Sequence, residues 1–256
     1  MSHSAWYIGC AKEDVGEAAL LTGDRGRIDR IAKYLDRARI LPENRGLRTV
    51  TGMRAGKRVT ATAFGMGGPI AAIVLHELHH LGVKSFVRIG TAMAMPPARL
   101  GELLLADGAY SRDGTSRTYA PAGYPAVADF DLGAALREAM KTRSLPWRAG
   151  LFGTYDGFYT ESFALGDGET RGIHKAREDA KRLRLIATDM ETATLLTAGR
   201  VLGARVASLC LATVDGLAQE KLDAETLAAR EAEMFEAALD AVAAPEFLEV
   251  RSVLKT

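Results

Sequence analysis

The chain has 256 residues, 48% hydrophobic, 25% charged and 7% aromatic, with a formal net charge of +1. This is the composition of a globular chain with a large core, read as one domain over residues 1–256, and the balanced charge leaves no electrostatic footprint for nucleic acid. No run of 18 apolar residues occurs, so the sequence offers no membrane-spanning helix.

The opening stretch, residues 1–14, has no charged region followed by a long apolar one, so it reads as no secretory signal. Cys10 and Cys210 both lie in apolar runs and read as small core residues. Together these point to a reducing, cytoplasmic setting.

In chain order, Ala18–Thr22 reads as the first strand. Gly23-Asp24-Arg25-Gly26-Arg27 is a turn, and residues 28–35 continue as a helix with Asp24 suited to its cap. Gly23 and Arg27 then sit near a positive helix end, where anions are favoured. A solvated basic helix start is the other reading, and Arg25 and Arg30 take that one. Residues 47–64 read as a hairpin turning at Ala55-Gly56, with Arg45 in the loop before it.

Residues 59–95 carry the strongest signal. Runs 59–64 and 85–89 are short and β-branched or aromatic, and 70–81 between them has helical spacing. A strand–loop–helix–strand unit makes a parallel α/β sheet with ligands at the carboxyl ends of its strands. The first strand runs into Gly65-Met66-Gly67-Gly68, where bare backbone N–H groups can face an anion. The second ends in Arg88-Ile89-Gly90-Thr91. A glycine turn and an Arg-x-Gly-Thr at one sheet edge point to an oxyanion site. The intervening helix holds His76-Glu77-Leu78-His79-His80, formally the H-E-x-x-H of zinc proteases, but no third ligand is evident and histidines on a partly solvated face is the preferred reading.

Residues 102–110 read as a strand, 111–130 as a long polar loop whose Tyr119, Tyr124 and Phe130 argue against disorder, and 129–141 as a helix. Strand 147–155 leads to Asp156-Gly157-Phe158-Tyr159, where an aromatic pair can stack a flat base or fill the core. Residues 166–181 read as a flexible flap entering a helix. Strand 185–188 precedes Asp189-Met190-Glu191, which opens helix 192–202; a carboxylate there is a cap or a ligand. Strand 205–214 ends in Asp215-Gly216, and 223–243 is a long amphipathic helix.

Phe64-Gly65-Met66-Gly67-Gly68-Pro69 followed by Phe86-Val87-Arg88-Ile89-Gly90-Thr91 resembles the nucleoside phosphorylase family, closest to its uridine phosphorylase branch. Further matches at 9–15, 20–35, 112–130 and 189–196 extend the resemblance over residues 6–243. It implies a three-layer α/β/α sandwich around a central mixed sheet, and phosphorolysis of a nucleoside to free base and (deoxy)ribose 1-phosphate. No cofactor is implied beyond phosphate as co-substrate. The phosphate ligands it implies are Gly23, Arg27, Arg88, Thr91 and, across a subunit boundary, Arg45. Glu191 and Met190 take the ribose, Phe158 the base, and Tyr7 the 5′-hydroxyl of a neighbouring subunit, where the family has a histidine. Two ligands in trans imply a homo-oligomer, dimer at least, with a hexamer as the family pattern.

The base pocket departs from that pattern. Ser162-Phe163-Ala164 stands where uridine phosphorylases carry Gln-x-Arg, and Gly216 where they carry a further arginine, leaving Arg171 or His174 of the flap as substitutes. Asp189 is one carbon shorter than the expected glutamate. Gly46 and Ile70 replace residues of the potassium site found in some members. Asp215 falls where purine phosphorylases keep an aspartate that protonates N7, so Arg88 and Asp215 are the catalytic candidates and a purine enzyme is the alternative to a uridine-like one. Two further alternatives are a nucleosidase and a non-catalytic nucleoside-binding protein.

Overall fold

Ala18–Thr22 (β1) is buried at every position, and Lys57–Ala63 (β4) and Ser85–Ala94 (β5) are buried over most of their length. Strands apolar on both faces must be covered on both faces, which is the signature of a sheet sandwiched between helices. The computed structural model, which describes residues 5–166 and 168–244, has this arrangement. After β1 come α1 (Gly26–Ala32), β2 (Asp36–Ile40), β3 (Thr49–Arg54), β4, α2 (Gly68–His80) and β5. Then follow β6 (Leu103–Ser111), α3 (Ser116–Tyr119), β7 (Ala126–Val127), α4 (Phe130–Thr142), β8 (Trp147–Thr154), α5 (Arg171–Leu183), β9 (Leu185–Asp189), α6 (Thr192–Leu202), β10 (Arg205–Asp215) and α7 (Ala224–Ala243).

The strands form one mixed sheet in the order β10-β6-β8-β9-β5-β1-β4-β3-β2, with β7 on β6. β10 also pairs with β5, so β5, β10, β6, β8 and β9 close into a ring from which β1, β4, β3 and β2 extend. One core lies between the sheet and α1, α4 and α7, holding Ile28, Ile31, Leu136, Met140, Phe235 and Leu239. A second lies beneath α2 and α6, with Val74, Leu75, Leu78, Leu195 and Leu196. The three layers match the expected sandwich; the ring closure adds to it. No helix among the described residues is long and apolar enough to cross a membrane.

One local expectation shifts, and one helix start is located. The helix read over 28–35 ends at Ala32, and β2 follows it where no strand was read, because every residue of β2 is exposed and shows no alternation. The segment 166–181, read as a flap entering a helix, enters it at Arg171, where the Thr170 hydroxyl caps by accepting from the Ile173 N–H.

The polar loop after β6 is tied down by Asp113, which is 1% exposed. It accepts from the Ser111 and Ser116 hydroxyls, the Ser116 N–H and the Thr194 hydroxyl of α6, at 2.7–2.9 Å. Burial pushes its pKa up, but these hydrogen bonds outweigh burial and hold it below the usual carboxylate range. A depressed folded pKa contributes stability that is present above the unfolded value of about 3.9 and is lost as pH falls through the lower folded value. Asp113→Ala should therefore cost about 3 kcal/mol in denaturant unfolding at pH 7, since it strands buried donors. Asp113→Asn should lose stability less steeply than the wild type below about pH 4; identical acid limbs would contradict this role.

Candidate active site

β1, β4 and β5 run parallel, so their carboxyl ends lie at one edge of the sheet. Gly23 follows β1 and Gly65 follows β4, and the Gly65 N–H donates to the Gly23 carbonyl at 3.1 Å. A Cβ on Gly23 would lie 2.7 Å from that Gly65 oxygen, so only glycine permits this approach. Gly67, at φ 98°, turns the chain into α2. Its N–H meets a protein carboxylate, donating to Glu191 Oε1 at 2.7 Å.

Glu191 also joins the site to β5. Its Oε2 accepts from Nη2 of Arg88, whose Nη1 lies 3.2 Å from Asp189 Oδ2 and contacts the Cys210 sulfur. Arg88, Asp189 and Glu191 are all at least nine-tenths buried. Burial disfavours the charged guanidinium, but the negative groups around it push its pKa further up, and it stays a cation. Burial pushes the Cys210 thiol up to about 11, so it is neutral beside the guanidinium at pH 7. Asp189 is held in turn by the hydroxyls of Thr154 (2.8 Å) and Thr192. The shorter side chain at 189 thus caps α6 and seats Arg88.

The guanidinium folds over Gly90. A Cβ there would come within 2.5 Å of Nη1 and 2.7 Å of Cζ, so the glycine leaves room for the cation. Arg88 Nε, also buried, has no hydrogen-bond partner among the described residues.

Arg27 and Thr91 share a cleft of about 420 Å³ with Thr213 and the first turns of α7. Arg27, 5% exposed, gives Nε and Nη2 to one oxygen of Glu231 at 2.8 and 2.7 Å and Nη1 to the Thr22 hydroxyl at 3.2 Å. Arg30 reaches the other Glu231 oxygen and Asp24, at 2.9 and 2.8 Å. Arg30, read as a solvated helix residue, therefore belongs to the site's ion network, whereas Arg25 pairs with exposed Glu43. Glu231 carried no local signal in the sequence: it lies on an Ala- and Glu-rich helix 204 residues from its partner.

Phe158 begins a π-helical turn, Phe158–Ser162, beyond β8. It stacks on Phe163 at 5.8 Å between ring centroids, and Met190 is half-buried between the two carboxylates of 189 and 191. The Gln219 amide holds this turn, accepting from Ala164 N–H at 2.8 Å and donating to the Ser162 carbonyl at 3.2 Å. Gly216 lies against Met95, whose sulfur would be 2.3 Å from a Cβ at 216. Beside it stands Arg177 of α5, whose Nε donates to the Gly216 carbonyl at 3.0 Å. Arg177 carried no signal in the sequence; of the two flap residues singled out there, His174 is exposed and faces Glu169 at 3.5 Å. Asp215 is half-buried, and its Oδ1 accepts from the Leu217 and Ala218 N–H groups at 2.8 and 2.7 Å, capping the turn.

Tyr7 and Arg45 stand together as one unit, the guanidinium carbon 5.0 Å from the ring centroid. Asn44 donates to the Tyr7 carbonyl at 2.8 Å and Glu77 accepts the Tyr7 N–H at 2.8 Å. Glu77, the would-be base of H-E-x-x-H, is thus occupied by backbone. Among the described residues no three His, Cys, Asp or Glu side chains gather at metal-ligand spacing.

The family model described as the phosphorylase superfamily matches residues 17–244. The chain belongs to the phosphorylase superfamily. It is 34% identical over 214 residues to a uridine phosphorylase of Thermococcus kodakarensis, covering 80% of this chain and 75% of the relative. It is 32% identical over 228 residues to that of Escherichia coli, covering 87% and 90%. A guanosine phosphorylase of Halorubrum lacusprofundi is 35% identical over 204 residues, covering 79% of each chain. Within this phosphorylase chain Gly90 is the residue on which the Arg88 seat depends. Gly90→Ala should leave the melting temperature within a few degrees while lowering kcat/KM by about 100-fold through displacement of the guanidinium. Wild-type kcat/KM in Gly90→Ala would contradict the geometry.

Proposed function

We propose that this chain is a uridine phosphorylase-like enzyme that cleaves the N-glycosidic bond of a nucleoside with inorganic phosphate, releasing base and (deoxy)ribose 1-phosphate. The observation that carries the reading is Arg27 and Thr91 in one cleft, with the buried Arg88–Glu191 pair joining β5, the strand that also bears Thr91, to the start of α6. Phosphate would lie on Gly23, Arg27, Arg88 and Thr91, and the sugar on Glu191 and Met190, with Phe158 flanking the base. Tyr7 and Arg45, paired on one face, would serve a neighbouring subunit's site, which asks for a dimer at least and suits a hexamer. Two buried free cysteines suit a cytoplasmic setting.

The chemistry follows from this placement. Attack of a phosphate oxygen on C1′ passes through a sugar with oxocarbenium character, and the anion serves as nucleophile and counter-charge. Arg88 would hold that anion while its bond to Glu191 fixes the carboxylate against the sugar hydroxyls. The protein supplies position and field rather than a covalent step. Uracil leaves as an anion and needs donors rather than an acid; the purine alternative needs a proton from Asp215. One Asp215 oxygen is already committed to the turn, which favours the uridine-like reading.

The test is base release and sugar 1-phosphate formation across a nucleoside panel with and without phosphate. Phosphate-dependent turnover is expected; base release that ignores phosphate would indicate a nucleosidase, and binding without turnover a non-catalytic nucleoside-binding protein. Arg88→Ala should lower kcat/KM by about 30- to 1,000-fold, the cost of a lost charge-assisted contact to the nucleophile. Asp215→Asn should change turnover of every nucleoside by less than about threefold, whereas a loss near 100-fold confined to inosine or guanosine would restore the purine reading.

A further inference from the structure

Glu231 is a buried carboxylate, 5% exposed, on a helix remote in sequence from every motif of the site. An arginine fork has two edges that can meet an oxyanion, the side-on pair Nε/Nη2 and the end-on pair Nη1/Nη2. Glu231 Oε1 occupies the side-on edge of Arg27, at 2.8 Å from Nε and 2.7 Å from Nη2. The Thr22 hydroxyl accepts from Nη1 at 3.2 Å and fixes the plane of the guanidinium. Arg30 takes the second Glu231 oxygen at 2.9 Å, so the carboxylate is balanced by two guanidinium groups and cannot swing away without breaking both.

We propose that Glu231 is a positioning residue for the anion: it binds the side-on edge of Arg27 and thereby presents the end-on edge to phosphate in the cleft shared with Thr91. This rests on the reading of Arg27 as a phosphate ligand. A carboxylate facing an anion site would by itself repel the anion, and Arg30 is what offsets that repulsion. The carboxylate therefore acts through reach and geometry, and its charge is secondary.

Reach and charge separate in two conservative variants. Glu231→Gln keeps the length and the accepting oxygen and removes the charge; Glu231→Asp keeps the charge and withdraws the oxygens by one methylene. Phosphate affinity is measured by calorimetry on wild type and both variants, with the nucleoside KM and the melting temperature followed alongside. Positioning predicts that Glu231→Asp weakens phosphate by about 10-fold with the nucleoside KM unchanged, and that Glu231→Gln binds phosphate as well as wild type or tighter. Wild-type phosphate affinity in Glu231→Asp overturns the proposal, whether or not the variant melts lower. The reverse order, with Gln altered and Asp normal, also overturns it, because charge would then be the operative property. A wild type that binds no phosphate would sink the anion-site reading itself, and this inference with it. Phosphate binding in the wild type without turnover of any nucleoside would sink only the proposed reaction.

Discussion

The ion pair between Arg88 and Glu191 is the interaction on which the rest of the site depends. It joins the middle of β5 to the start of α6, and through Glu191 Oε1 it also fixes Gly67 at the start of α2. Burying such groups carries a desolvation cost of several kcal/mol per ion, which is offset only when the remaining donors and acceptors are satisfied. Here Asp189, Thr154, Thr192 and the Gly67 N–H supply most of that satisfaction. Two carboxylates around one guanidinium leave the cluster with one negative charge in excess. On the proposed reaction the two carboxylates would face a sugar acquiring positive charge at C1′, an interaction stronger in the transition state than with the uncharged nucleoside.

The second cluster is balanced differently. Arg27 and Arg30 surround Glu231, and Asp24 lies at the rim, so the cleft holding Thr91 has cations oriented and partly neutralised by the protein's own carboxylates. A free buried arginine would bind an anion at a large desolvation cost to itself in the empty state. A paired one avoids that cost and offers a fixed edge instead, at the expense of some attraction. The sheet makes this possible because β1 and β5 are adjacent and parallel, bringing Thr22, Arg27 and Thr91 to the same edge from separate segments.

Much of the fold was legible in the sequence where burial is two-sided and local. β1, β4, β5, β9 and β10 each hold a short stretch rich in apolar or β-branched residues, and α2 follows a glycine turn, so each announced itself within a few residues. β2 did not, because its side chains are all solvated and only backbone pairing with β3 makes it a strand. The closure of β10 onto β5 is a pairing between distant segments for which periodicity carries no information. The same division holds at the site. Arg27, Arg88, Thr91 and Glu191 stand in compact motifs, and the resemblance assigned them. Glu231, Asp113 and Arg177 act on partners far away in the chain, and nothing adjacent to them marks that role. Asp215 illustrates the reverse: its position next to a glycine allowed both an acid and a turn cap, and the two backbone N–H groups on Oδ1 supply the cap.

The most direct measurement is a crystal structure of the protein with phosphate and a slowly cleaved nucleoside analogue bound together. The anion is expected on the end-on edge of Arg27 and on Thr91, within reach of Arg88, with the sugar hydroxyls on Glu191 and an arginine from a second subunit on the same anion. An anion bound elsewhere, or a sugar that leaves Glu191 untouched while Arg88 keeps its present partners, would contradict it.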